Sequence, residues 1–208
     1  MQTAPIPPNE EERLKSLRGL KILDTLSEER FDVITRLAVK IFNVPMSTIT
    51  LVDANREWYK SVCGLGQKEG ERAISFCGHA LLADEILVIP DAKKDPRFAD
   101  NPMVIGEPFI RFYAGVPIIS VDGFRIGTFC IKGREPREFS LEDETNLKAL
   151  AKWAEREVNY HDLSLALEKI KETEKQLKFM NDKMVDRELK MIELKAHIKE
   201  LEAKLATP

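Results

Sequence analysis

From Leu163 to the final residue, Pro208, the sequence contains no glycine, and that last residue is the only proline there. A stretch without either helix breaker excludes a succession of turns and short strands and predicts one long helix. No apolar run in the 208 residues approaches the length needed to span a bilayer. The opening M-Q-T-A-P-I-P-P-N-E-E-E lacks the charged and apolar regions of a secretion signal, so a soluble, cytoplasmic protein with no membrane partner is expected. Basic blocks are missing as well. The 32 Lys and Arg are set against 35 Asp and Glu, a net charge of −3 with both signs interspersed, which argues against nucleic acid as a direct partner. Cysteine is scarce: Cys63, Cys77 and Cys130 are odd in number and irregularly spaced, which suits a reducing compartment better than a disulfide framework. There is no glycine-rich phosphate loop, nucleophile elbow or paired-carboxylate arrangement, so the residues themselves indicate no enzyme.

What is present divides the chain in two. Up to about Lys152, apolar runs alternate with Gly, Pro and Asp punctuation, the pattern of a mixed α and β domain. In the tail, Leu163, Ile170, Leu177, Met184, Met191, Ile198 and Leu205 recur every seven residues. Ala166, Thr173, Met180, Arg187, Leu194 and Leu201 interleave with them, which is the a/d spacing of a coiled coil. Glu and Lys lie between the two series, so the stripe is too narrow for a globular core and fits a partner helix. A parallel homodimer through residues 163–205 is expected; a single amphipathic helix folded back on its own domain is the alternative. Thr173 and Arg187 are weak points that cost stability and can set register.

In the first part, helices are predicted over Asn9 to Leu23, with Leu14, Leu17 and Leu20 inward, and after Ser27 as N-cap, with Phe31, Ile34, Ala38 and Ile41 inward and Pro45 ending it. Strands are predicted near Met46 to Val52 and Glu57 to Val62, then at 86–90, 110–119 and 124–131. The last two are joined by V-D-G, a strong hairpin signal. A short helix fits Phe76 to Ala83 with Ser75 as its cap, and residues 91–108 read as irregular. Ser140 caps a final helix, with Asp143 placed to return the hydrogen bond and Leu147, Leu150, Ala154 and Val158 facing inward. That helix runs without a break into the heptads. The expected architecture is an α+β fold: an antiparallel sheet flanked by helices, with a long C-terminal helix.

The series E-E-E-R-L-K-S-L-R-G-L-K-I-L-D-T, E-R-F-D-V-I-T-R-L-A, S-F-C-G-H-A, D-P-R-F-A-D-N-P, I-R-F-Y-A-G-V-P and G-T-F-C-I resembles a bacterial GAF domain, of the type found ahead of histidine kinases and diguanylate cyclases. The resemblance covers about residues 9–158, with 1–8 as a flexible N-terminus and 159–208 as a signalling helix. It implies an antiparallel sheet of five or six strands, helices on one face and a pocket on the other. It also implies a sensory role, with a downstream output domain or protein as partner and a possible small-molecule ligand whose identity stays open. Relatives commonly carry an acidic residue after G-T-F-C-I, where this chain has Lys132 and Gly133. The Asn-Lys-Phe-Asp-Glu signature of cyclic-nucleotide GAF domains is not recognisable, and no Cys-His dipeptide is present to anchor a bilin.

The candidate binding residues are Cys77, His79, Asp91, Arg111, Tyr113 and Cys130. On a strand, Arg111 and Tyr113 share one face and Ile110, Phe112 and Ala114 the other, so the guanidinium and the phenol point toward the pocket and suit an anionic or aromatic ligand. The alternative is that Arg111 pairs with Asp91, Asp95 or another internal carboxylate and holds segment 91–108 over the sheet. Gly115 is expected to allow close backbone approach. Cys77, His79 and Cys130 offer a soft metal site or a redox-sensing thiol pair, against the plainer reading of small buried groups. His161, which precedes an acidic residue as phosphoacceptor histidines do, and His197 read as solvated.

Overall fold

The computed structural model describes residues 1–205; the side chains of 161–166, 196, 197 and 199–205 lie outside the described set, and with them His161, His197 and the seam positions Leu163, Ala166, Leu201 and Leu205. The chain divides into two units, Met1–Asp162 and Leu163–Pro208.

In the first unit, α1 (Glu10–Gly19) and α2 (Glu29–Phe42) precede the strands β1 (Met46–Val52), β2 (Arg56–Cys63) and β3 (Glu69–Glu71). A 3-10 turn at Arg72–Ile74 and the short α3 (Phe76–Ala80) lead to β4 (Leu87–Ile89), α4 (Pro102–Ile105), β5 (Phe112–Ile119) and β6 (Arg125–Gly133). The strands form one six-stranded sheet in the order β3-β2-β1-β6-β5-β4, with antiparallel neighbours throughout. The helix α5 spans Leu141–Leu205.

Local chemistry accounts for most element ends. Ser140 and Asp143 close the expected reciprocal cap, Asp143 N–H donating to Ser140 Oγ and Ser140 N–H to Asp143 Oδ2, each at 3.1 Å. Ser75 Oγ accepts from Gly78 N–H at 3.0 Å and starts α3. Several boundaries differ from expectation, among them the end of α3 at Ala80 rather than Ala83. The N-cap of α2 is Glu28, not Ser27, and the helix stops at Phe42 because Asn43 takes the left-handed conformation (φ 50°) before Pro45 is reached. The first helix also ends earlier, and Lys21 and Asp24 both have positive φ. The hairpin turns at Asp122-Gly123, with Gly123 at φ 85°. Edge strand β3 went unpredicted because E-G-E carries no apolar alternation; it exists by pairing with Arg56–Trp58.

The larger core lies between the sheet and α2, α1 and the first turns of α5, built from Leu17, Ile34, Ala38, Ile49, Leu51, Phe112, Phe129, Leu147, Ala154 and Val158. Ile41 is exposed and Phe42 takes its place inward. A second core on the opposite face joins Phe76, Cys77, Leu81, Phe98, Ile110, Tyr113 and Cys130. Each large apolar side chain so enclosed contributes about 1.5–3 kcal/mol. Residues 1–8, expected as a flexible lead-in, bond to this unit: Gln2 N–H donates to Arg97 O at 2.9 Å and Ala4 N–H to Ala73 O at 3.0 Å.

In the second unit, Ile170, Leu177, Met180, Met184, Met191, Leu194 and Ile198 of the seam are all exposed. Phe179, Val185, Leu189 and Ile192 are exposed too, off the seam, so the tail is more apolar than a single stripe. Among the described residues, no helix is long and apolar enough to cross a membrane.

Candidate functional site

The second core encloses a group of polar and sulfur side chains on the sheet face opposite α2 and α5. Because side chains alternate, Cys130 and Lys132 of β6 point to the same side, as do Thr48 and Thr50 of β1. The sulfurs of Cys77 on α3 and Cys130 on β6 stand 3.6 Å apart, and both residues are fully buried. Thr48 Oγ1 lies 3.0 Å from Cys130 Sγ and 2.8 Å from Thr50 Oγ1. Tyr113 OH reaches Cys77 Sγ at 3.5 Å. Below the sulfurs, Glu57 accepts from Tyr59 OH at 2.6 Å and from Ser75 Oγ. The Lys132 ammonium sits 5.3 Å above the Tyr59 ring.

Charge in this enclosure is set by burial and by Lys132. Burial works against the ammonium of Lys132, but the negative charges of Cys130 and Glu57 outweigh it and hold it protonated. Burial likewise works against a Cys130 thiolate, yet the hydrogen bond from Cys77, the Lys132 ammonium and Thr48 together bring its thiol below the ordinary range. Cys77 moves the other way, pushed up by burial and then by its hydrogen bond to Cys130. Tyr113 and Tyr59 are pushed up chiefly by burial, so both phenols stay neutral. The surroundings therefore favour ionisation at Cys130 and oppose it at Cys77.

Three of the six candidate residues, Cys77, Tyr113 and Cys130, meet here. The others do not. His79 turns to the N-terminal segment, its Nε2 3.1 Å from Gln2 O and its ring edge-on to Phe98, and burial lowers its pKa. Asp91 accepts from Lys93 N–H and pairs with Lys94 at 3.4 Å. Arg111 does hold segment 91–108 in place, but through carbonyls: its Nη1 donates to Val104 O at 2.6 Å and Ile110 O at 3.0 Å. The two carboxylates named as its possible partners are taken by others, Asp91 by Lys94 and Asp95 by Arg97. The strand starts only at Phe112, so alternation does not reach back through 110–111, and Ile110 packs on the Tyr113 side. Glu57, Tyr59, Thr48, Thr50, Ser75 and Lys132 were missed as a group. Lys132 was legible as a charge two residues beyond Cys130 on a strand, had the strand been read past residue 131.

Gly115 has a local reason. A Cβ there would lie 2.2 Å from the Tyr113 hydroxyl, because the phenol folds back over its own strand to reach Cys77. Gly115→Ala is expected to displace the ring and cost about 1–3 kcal/mol, read as a lower unfolding midpoint together with a changed tyrosine near-UV signal. An unchanged signal would remove this account. Phe76 stacks on Phe98 at 4.2 Å and packs tilted against Tyr113 at 5.3 Å, so the protein's own aromatics line this face. A surface cleft of about 550 Å³ lies elsewhere, lined by Asp32, Lys60, Ser61, Cys63 and Lys68 where β2 meets the start of α2.

The GAF domain model matches residues 27–158. The chain belongs to the GAF domain family. It is 39% identical over 137 residues to a cyclic di-GMP phosphodiesterase of Pseudomonas aeruginosa; the match covers 66% of this chain but only 23% of that protein. Among solved structures, the GAF domain of an Acinetobacter phosphoenolpyruvate-protein phosphotransferase aligns with a TM-score of 0.54 at 23% identity, over 74% of this chain and 95% of that one. A domain of a two-component sensor histidine kinase protein from Sinorhizobium meliloti aligns at 0.53 and 15% identity, over 68% and 97%. At those identities the two structures speak for the GAF fold alone.

Proposed function

We propose that this GAF domain is the input module of a signalling system, and that its last helix pairs with that of a second copy to carry the signal to an output domain or protein. The observation behind this reading is the exposed apolar seam Ile170, Leu177, Met180, Met184, Met191, Leu194 and Ile198, whose spacing suits a partner helix. The helix also begins in the head: Leu147, Ala151, Ala154 and Val158 of α5 are buried in the larger core. An event at the sheet face that alters this packing would bias the register or rotation of a paired helix, and a coupling of about 1–3 kcal/mol is enough to be useful. The phosphodiesterase relative supports a signalling setting, and the segment shared with it is regulatory and not catalytic on this reading.

The expected mass by light scattering at low micromolar concentration is that of two chains. A monomer under those conditions removes the paired-helix reading. Native mass spectrometry of the same sample would reveal any small molecule that co-purifies.

A further inference from the structure

The two sulfurs in the second core come from separate elements and face each other with nothing between them. Cys77 and Cys130 are 3.6 Å apart, whereas a disulfide needs about 2.05 Å, so a closure of about 1.5 Å would bond them. Lys132, 1% exposed, lies where it can offset negative charge on Cys130. Both sulfurs are closed off from solvent, and Phe76, Phe98 and Tyr113 occupy the space a bulky organic ligand would need. A reactant reaching this pair has to be about as small as water. The third cysteine, Cys63, is partly exposed and stands apart, at the end of β2.

We infer that Cys77 and Cys130 form a dithiol–disulfide centre oxidised by hydrogen peroxide or a comparably small hydroperoxide, with Lys132 as the residue that positions charge at Cys130. The Cys130 thiolate attacks one peroxide oxygen; a sulfur–oxygen bond forms, the oxygen–oxygen bond breaks, and the leaving hydroxide takes up, as water, the proton that the Cys130 thiol released on ionising. The Cys77 sulfur then attacks the sulfenic sulfur; the sulfur–sulfur bond forms, the sulfur–oxygen bond breaks, and the departing hydroxide takes the Cys77 proton as water. Two thiols and one peroxide give one disulfide and two waters, the two electrons passing from the sulfurs to the peroxide. The bond ties α3 to β6 across the face that the proposed input function uses, and only its signalling consequence rests on that reading.

The test starts from the reduced full chain carrying Cys63→Ser, treated with hydrogen peroxide, blocked with N-ethylmaleimide under denaturing conditions and mapped by mass spectrometry. The expected result is the loss of two hydrogens and a peptide linking Cys77 to Cys130. Cys77→Ala is expected to leave a sulfenic acid on Cys130 that a 1,3-dione traps, and Lys132→Met to slow oxidation about tenfold. If both cysteines remain fully alkylatable under peroxide conditions that oxidise Cys63 in the unmodified chain, the centre is overturned. It is overturned equally if sulfenic acid forms on Cys77 in place of Cys130. Should Cys77→Ala fail to fold, mapping of the Cys63→Ser chain decides alone. Light scattering of the reduced and oxidised samples separates the two proposals: a disulfide in a monomeric protein supports the centre and removes the paired-helix reading, while a dimer without a disulfide does the reverse.

Discussion

Replacing Glu10 with alanine is expected to lower the unfolding free energy by about 3 kcal/mol and the thermal midpoint by about 6–12 °C. The reason lies in two guanidiniums. Arg13 and Arg72 are 1% and 4% exposed, and the Glu10 carboxylate joins them: Arg13 donates to both of its oxygens, at 2.7 and 2.8 Å, and Arg72 bonds the second. Arg72 also donates to Asp53 O at 3.0 Å, so the cluster fastens α1 to the turn between β1 and β2. Without the carboxylate, two desolvated cations face each other. Arg72→Met introduced alongside Glu10→Ala should recover part of the loss, and a double variant as unstable as the sum of the singles would show that the charges are not coupled.

The same carboxylate gives a pH dependence. Burial raises its pKa, but hydrogen bonds from Arg13 and Arg72 lower it more, from 4.5 to about 2. A pKa depressed on folding means that the stabilisation is complete above the unfolded value and disappears as pH falls toward the folded one. The stability difference between the wild type and Glu10→Ala should therefore be constant above about pH 5 and shrink between 4.5 and about 2. A difference that stays constant through that window contradicts the assignment. Subtracting the variant matters, because Asp95 and Asp143 are also held below their usual range and contribute to the acid limb of both proteins.

The second large effect is on assembly. Met184→Glu combined with Leu194→Glu is expected to convert a dimer into a monomer in sedimentation velocity, a loss of at least about 100-fold in affinity, since each position of a parallel pair would face its own charge in a dry seam. Val185→Glu with Ile192→Glu adds the same charge one residue after the a positions Met184 and Met191, off the seam, and should leave the mass at two chains. Should both double variants behave alike, the seam is not the interface. The thermal midpoint of the head should not move, because none of these residues belongs to its core.

How far the fold could be read depended on whether a signal was local. Strand β1, the Asp-Gly hairpin, the Ser140–Asp143 cap and the tail helix all rest on chemistry contained within a few neighbouring residues, and each stands where it was expected. Strand β3 and helix α4 have no such signal. The first exists by pairing with β2, and the second is held by Asn101 at one end, where its side chain accepts from Met103 N–H, and by Arg111 at the other. The candidate site was half legible for the same reason. Cys77 and Cys130 could be named as chemically apt, but 53 residues separate them, and nothing in the string says that α3 lies over β6. That Arg111 holds segment 91–108 was one of two readings offered, but its carbonyl partners were not legible, because the strand begins only after it.

By itself the sequence determined the family, the order of the strands and helices other than β3 and α4, and the heptad repeat of the tail, because capping, turn chemistry and periodicity act over a turn or two of chain. Tertiary structure alone decided which polar groups share an enclosure. Sheet order brings β1, β2 and β6 side by side and sets Thr48, Glu57, Tyr59, Cys130 and Lys132 behind α3. Their charges and sulfur reactivity follow from how far each stands from the others and from water, quantities that contacts distant in sequence create.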